Sequence, residues 1–137
     1  MVKQFLSVAT LTAILSIAPL TVTAGHHESL TPPAKAGQVV VTYRGECPPE
    51  AVDDAIAKIK ETISYERTNS PIFYVSSPGV WADGKVGAVD IHESRERMDQ
   101  AFAWQSEDAT WSTSYDSIAA SCGITVDDFE VSVFEAR

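Results

Sequence analysis

The sequence predicts an α+β domain, one antiparallel sheet with helices on one face, in the order β-α-β-β-α-β. Three observations predict it. Short stretches alternate apolar residues with a period of two, which is the strand period. Between them lie longer stretches with apolar residues at spacings of three and four, the helical period. Clusters of Gly, Pro, Asn and Ser separate the two kinds of segment.

The elements follow in order. Residues 25–37 are polar, carry two prolines and show no period, so they read as a flexible leader. Val39-Val40-Val41-Thr42-Tyr43 is a β-branched and aromatic run, stopped by Gly45, and predicts the first strand. Pro48-Pro49-Glu50 opens a helix, because Pro is tolerated in a first turn and an acid suits the positive end of the dipole. Within it Val52, Ile56, Ile59 and Ile63 recur at spacings of 4, 3 and 4, one apolar stripe, and Asn69-Ser70-Pro71 ends it. Two strands are then expected, Ile72 to Ser76 and Lys85 to His92, joined by a loop containing the turn signals Pro78-Gly79 and Asp83-Gly84. Ser94 can cap a helix carrying Met98, Ala101, Phe102 and Trp104. A break follows at Gln105-Ser106-Glu107-Asp108. A second helical stretch places Trp111, Tyr115, Ile118, Ala119 and Cys122 on one side, with Gly123 as its C-terminal cap. Phe129, Val131 and Val133, alternating with Glu130, Ser132 and Phe134, predict the closing strand. No internal repeat is present.

That order at this length is the split βαβ, ferredoxin-like sandwich. Its strand order, 4-1-3-2, sets the first and last strands side by side and antiparallel. Cys47, just beyond the first strand, and Cys122, just before the last, then fall at the same end of the sheet. A disulfide between them is expected, with two buried free thiols as the alternative. Closing a loop of about 75 residues stabilises by roughly 4 kcal/mol in the chain-entropy model.

The chain has 137 residues, 45% of them hydrophobic and 21% charged. That is the composition of one globular domain. The N-terminal stretch stands apart. Lys3 precedes an apolar run from Phe5 to Leu20, broken at Pro19, and Val22-Thr23-Ala24 supplies small residues where a signal peptidase cuts. The run is too short to span a bilayer, which takes about 20 apolar residues. The expectation is a cleaved signal peptide (1–24), a leader (25–37) and a single domain (38–137), exported to a periplasm or outside the cell, with no membrane span after cleavage. Removing Lys3 with the signal turns the net charge of −9 into −10. Such a charge argues against nucleic acid and anionic membranes as partners, and an oxidising destination favours the disulfide.

Helices cover only one face of such a sheet, yet both faces of the first strand are apolar. Val39, Val41 and Tyr43 lie on one side, Val40 and Thr42 on the other, and Phe134 repeats this in the last strand. A second copy packed face to face is the simplest cover, so a homodimer through the sheet face is expected. The stretch Ala82 to Phe102, with His92-Glu93-Ser94 at a strand end and Phe102 in the following helix, is similar to the strand–helix junction of dimeric α/β-barrel proteins. It most resembles their antibiotic-biosynthesis-monooxygenase-like branch, where a Trp-Glu-Ser-like tripeptide ends the strand; here His92 replaces the Trp. That superfamily includes cofactor-independent oxygenases, haem-degrading enzymes, ligand-binding proteins and members with no known activity. The haem-degrading branch implies a His about ten residues beyond the tripeptide, where this chain has Ala101-Phe102-Ala103, so haem chemistry is not expected.

Asp90 and His92 are two apart on one strand and share a face. If they line a pocket, the carboxylate can orient the imidazole and give a general base near neutral pH. Ile91 and Val89 are then expected to pack on the helices. The alternative places Asp90 and His92 in a polar patch at a dimer interface or strand end. Tyr43, Tyr74, Phe102 and Trp104 are the candidate walls of a cavity for a small hydrophobic or aromatic molecule. Trp81, Trp104 and Trp111 could wall such a cavity between helix and sheet. At helical spacing Trp111 with Tyr115 reads rather as core, and Trp81 in the hairpin loop as a contact surface or lid. Cleavage after Ala24 would leave Gly25-His26-His27 as a nitrogen set suited to Cu(II) or Ni(II). No phosphate loop, Cys-x-x-Cys, nucleophile elbow or EF-hand loop is present. No cofactor and no metal centre is expected. The reading is an exported homodimeric barrel binding a small hydrophobic or aromatic molecule, with cofactor-independent monooxygenation as its chemistry. A non-catalytic ligand-binding or protein-interaction module on the same scaffold is the alternative.

Overall fold

The computed structural model describes residues 33–137. The expected signal segment (1–24), most of the leader and Gly25-His26-His27 lie outside the described residues. The β-branched run forms β1 (Val39–Gly45). A single 3₁₀ turn at Pro49–Ala51 leads into α1 (Val52–Asn69), whose first turn carries Asp53 and Asp54 at the positive end of the dipole. β2 (Val75–Val80) and β3 (Val86–His92) make a hairpin. The Ser94 hydroxyl accepts from the Arg97 amide and starts α2 (Arg95–Glu107). Asp108 ends it and at once caps α3 (Ala109–Ser121), accepting from the Trp111 amide at 2.8 Å. Asp108 also accepts a hydrogen bond from the Tyr65 hydroxyl of α1, so one carboxylate joins three helices. Gly123, at φ +72°, turns the chain towards a 3₁₀ turn (Val126–Asp128) and β4 (Glu130–Glu135).

The sheet order is β2-β3-β1-β4 with every pair antiparallel, the expected 4-1-3-2 read from the other edge. β1 and β4 are neighbours, and Cys47 and Cys122 are joined across 75 residues. The bond sits in a core patch with Ala55 and Val86. A second patch packs Ile59 and Ile63 of α1 against Ile118, Ala119 and Phe129; a third sets Met98 of α2 on Val39 and Val41. All three helices therefore lie on one face.

Three expectations are corrected, the third at Gly45. The strand after α1 runs Val75–Val80, not Ile72–Ser76, and Pro78-Gly79 lies inside it rather than in the turn. β2 is an edge strand, where the missing proline N–H can face away from the ladder. The second correction concerns which face each β3 residue takes. Asp90 pairs with Val41 and His92 with Val39, so both lie on the helix face and are buried, at 3% and 0% exposure. Val89 and Ile91 lie on the helix-free face with Val40 and Phe134 and do not pack on the helices. Asp90 and His92 are thus not in a surface patch at a strand end.

Close approach, of backbone at one and of an aromatic ring at the other, fixes two glycines in the sheet. A Cβ on Gly87 would fall 1.8 Å from the Tyr43 carbonyl oxygen, and one on Gly45 2.6 Å from the Phe129 ring. Gly45 is therefore part of β1 and a seat for Phe129, rather than the residue that stops the strand.

Candidate ligand-binding site

α1, α3 and the helix face of the sheet leave a cavity of about 50 Å³ between them. At the roughly 10–15 Å³ that each water requires, it has room for a few waters or a small chemical group. Tyr43 enters it from β1, Ser76 from β2, Asp90 from β3, Glu66 from α1, Gln105 from α2, and Trp111 and Tyr115 from α3. The aromatic wall is ordered. Tyr115 stacks between Trp111 (4.9 Å between centroids) and Phe129 (5.1 Å), and Tyr43 meets it edge-on at 6.5 Å. Among the described residues, no Lys, Arg or His lines this cavity.

Two buried carboxylates face it. Glu66 accepts from the Trp111 indole N–H at 2.6 Å, and the Gln105 amide reaches it at 3.5 Å. The same Gln105 amide donates to the Tyr74 hydroxyl at 3.1 Å. Burial pushes the Glu66 pKa up, against the pull of these donors. Asp90 is held less firmly. Burial raises its pKa to about 7, the charge of Glu66 adds to the rise, and the nearby hydroxyls of Ser76 and Tyr43 oppose it. Neither hydroxyl reaches hydrogen-bond geometry: both are buried without a partner. Burial and the carboxylates push Tyr43 and Tyr74 far above the usual phenol range, and Tyr115 up to about 12.

The sequence candidates divide between this cavity and its surroundings. Asp90 and Tyr43 line it. His92 does not: its ring stacks on Tyr74 at 4.9 Å and meets Phe102 edge-on at 6.0 Å. Both its nitrogens lack partners, and burial lowers its pKa. Phe102 packs with Val39, Val41 and Met98. Trp104 stacks on Tyr65, away from the cavity lining. Trp81 lies under the Arg44 guanidinium at 5.4 Å. Sequence reasoning missed Glu66, Gln105 and Ser76; of the three tryptophans it weighed as cavity walls, Trp111 lines the cavity while Trp81 and Trp104 do not.

A wider groove of about 210 Å³ adjoins the cavity and shares Ile63, Glu66 and Ser76 with it. Arg67, Ser70, Pro71, Ile72, Phe73 and Tyr74 line the rest of it; Phe73 is strongly exposed and Tyr74 is buried. Among the described residues no group of three or more His, Cys, Asp and Glu side chains is placed to hold a metal, and no helix is long and apolar enough to cross a membrane.

No protein-family model matches the sequence, and no curated protein matches it. Solved structures match the fold. A dimeric ferredoxin-like protein of unknown function from Jannaschia sp. CCS1 is matched over 73% of this chain and 100% of that one, with a TM-score of 0.56 and 16% identity. A conserved protein from Methanosarcina mazei Go1 is matched over 73% and 93%, with a TM-score of 0.55 and 10% identity. SnoaB, a cofactor-independent oxygenase from Streptomyces nogalater, is matched over 74% and 95%, with a TM-score of 0.51 and 13% identity. The α+β ferredoxin-like fold, expected from the element order, is the fold this chain has. These identities speak to fold alone.

Proposed function

We propose that the protein is an exported homodimer that binds a small hydrophobic or aromatic molecule between its sheet and helices. One observation carries the binding reading: an aromatic-walled cavity holds two buried carboxylates and two buried hydroxyls without partners. Buried polar groups left unpaired in a native fold call for an explanation, and a ligand supplies one. The inner cavity is too small for an aromatic ring, since benzene takes a void of about 150 Å³. The adjoining groove, at about 210 Å³, is large enough. The body of the ligand therefore belongs in the groove, with a polar head reaching inwards past Ser76.

The dimer rests on the helix-free face, where Val40, Val89, Ile91 and Phe134 have no covering layer among the described residues. Phe134 is 63% exposed there. Likeness to a dimeric ferredoxin-like protein supports the dimer. Export rests on the residue 1–24 pattern, and the disulfide is compatible with an oxidising destination.

Asp90 favours a second reading, cofactor-independent monooxygenation, the activity class of one protein with this fold. A carboxylate titrating at about 7 can take a phenolic proton near neutral pH, ahead of reaction with dioxygen. His92, outside the cavity lining, is then a packing residue rather than the base.

Native mass spectrometry of protein purified from an oxidising compartment tests the main reading. The expected result is a dimer, two hydrogens lighter per chain, carrying an organic adduct. A monomer with no adduct refutes it. Dioxygen uptake with a panel of phenols, lost in Asp90→Asn, is the outcome required by the second reading.

A further inference from the structure

Resting on the small-molecule reading above, we infer that the ligand is an amine: its ammonium head sits in the inner cavity against Asp90 and Glu66, and its hydrocarbon body fills the outer groove. The first argument is charge. Two carboxylates from different elements line the inner cavity, and among the described residues no cationic side chain lines it with them; Arg67, an exposed residue, lines only the outer groove. A buried carboxylate without a cation is unfavourable, and a ligand cation removes that imbalance.

The second argument is the set of hydrogen-bonding groups. An ammonium head has three N–H donors and no acceptor. The cavity offers acceptors: the Asp90 carboxylate and the hydroxyl oxygens of Ser76 and Tyr43, both buried and both without partners. Ser76 is only 6% exposed and also lines the outer groove, so it stands where head and body would meet. Glu66 accepts from Trp111 and Gln105, which fixes its carboxylate at the cavity wall.

The third argument is the wall. Tyr43, Trp111 and Tyr115 present π-systems to the same space, and aromatic rings attract organic cations. The same groups repel the opposite charge. Asp90 opposes ionisation of Tyr43 and Tyr115, and Glu66 opposes ionisation of Tyr74, so a ligand carboxylate or phenolate meets the same field.

Benzylamine, benzyl alcohol and benzoate share one shape and differ in charge, and they form the test. Each is titrated into the intact disulfide-bonded protein at about pH 8, above the Asp90 titration, while the indole N–H resonance of Trp111 is followed by NMR. Benzylamine is expected to give a saturable shift with an affinity about tenfold or more above benzyl alcohol, the weight of a charge-assisted hydrogen bond. Asp90→Asn and, separately, Glu66→Gln are expected to bring it down towards the alcohol. Benzyl alcohol or benzoate binding as tightly as benzylamine would overturn the amine inference and leave the binding site standing. No saturable shift with any of the three would overturn both. The comparison of ligands on the unaltered protein decides the matter even where a variant folds poorly.

Discussion

Replacing Asp90 with Asn keeps the shape of the side chain and removes an ionisation that the fold opposes. Burial, with the charge of Glu66 adding to it, raises the Asp90 pKa from 3.8 to about 7. Below 3.8 the group is protonated in both folded and unfolded chains. Between the two values the folded protein holds a proton that the unfolded chain has lost, so stability falls as pH rises. Above about 7 both states are ionised and the loss is complete. At about 1.4 kcal/mol per pH unit, the interval amounts to about 4 kcal/mol. Two neighbours also titrate. Glu66 is shifted upwards like Asp90. His92 is shifted down, so its contribution rises with pH until the unfolded imidazole loses its proton near 6.5. Both persist in the variant, and because the charge of Glu66 raises Asp90, the difference between the two proteins reports the Asp90 ionisation together with its coupling to Glu66. Urea unfolding of the ligand-free proteins in steps between about pH 4 and about pH 8 measures that difference. Asp90→Asn should gain about 4 kcal/mol relative to wild type over this range. Parallel stability curves would refute the assignment of Asp90 as a carboxylate buried without compensation.

Three further outcomes are expected. Reducing Cys47–Cys122 should lower stability by roughly 4 kcal/mol, read as a drop in the denaturation midpoint with added thiol. His92→Leu should stabilise by about 1 kcal/mol or more, because both imidazole nitrogens are buried without partners. That gain should grow below pH 6.5, checked by thermal melts across the range. Gly87→Ala should cost about 3 kcal/mol by urea unfolding, the scale of a forced backbone shift. Its Cβ collides with the Tyr43 carbonyl rather than with a movable side chain.

Much of the fold was legible because topology and pattern agreed. The β1–β4 adjacency and the disulfide it implies follow from the element order, and the Ser94 cap from a local signal. The break expected over 105–108 narrows to Asp108, because α2 runs through Glu107. Pro78-Gly79 misled because the same residues that make turns also serve in edge strands. The helix face of β3 misled for a different reason. Alternation assigns apolar Val89 and Ile91 to the core, but buried carboxylates and imidazoles invert that rule, and only the pairing register reveals it. A signal for Glu66 and Gln105 did exist. The stripe 52-56-59-63 continues by three to Glu66, and Met98-Ala101 continues by four to Gln105. A polar residue on an apolar stripe marks a group buried for a purpose. What no pattern could supply was the meeting of those two with Asp90, which depends on how α1 and α2 pack on the sheet.

The cystine also sets how the domain answers to force. β1 and β4 lie side by side and antiparallel, with Val39 opposite Glu135, so tension on those two residues peels the strands apart pair by pair instead of shearing them together. The peeling front runs into Cys47–Cys122 and stops. Only about 70 Å of chain is released, at about 3.5 Å per residue. The 75-residue loop behind the bond holds another ~260 Å that tension cannot reach while the bond is intact. Glu66 and Asp90 both lie within that shielded loop, whereas Tyr43 and Phe129, which also line the cavity, lie on the segments that peel. Tension on the ends therefore strips two cavity walls and leaves both carboxylates behind the bond.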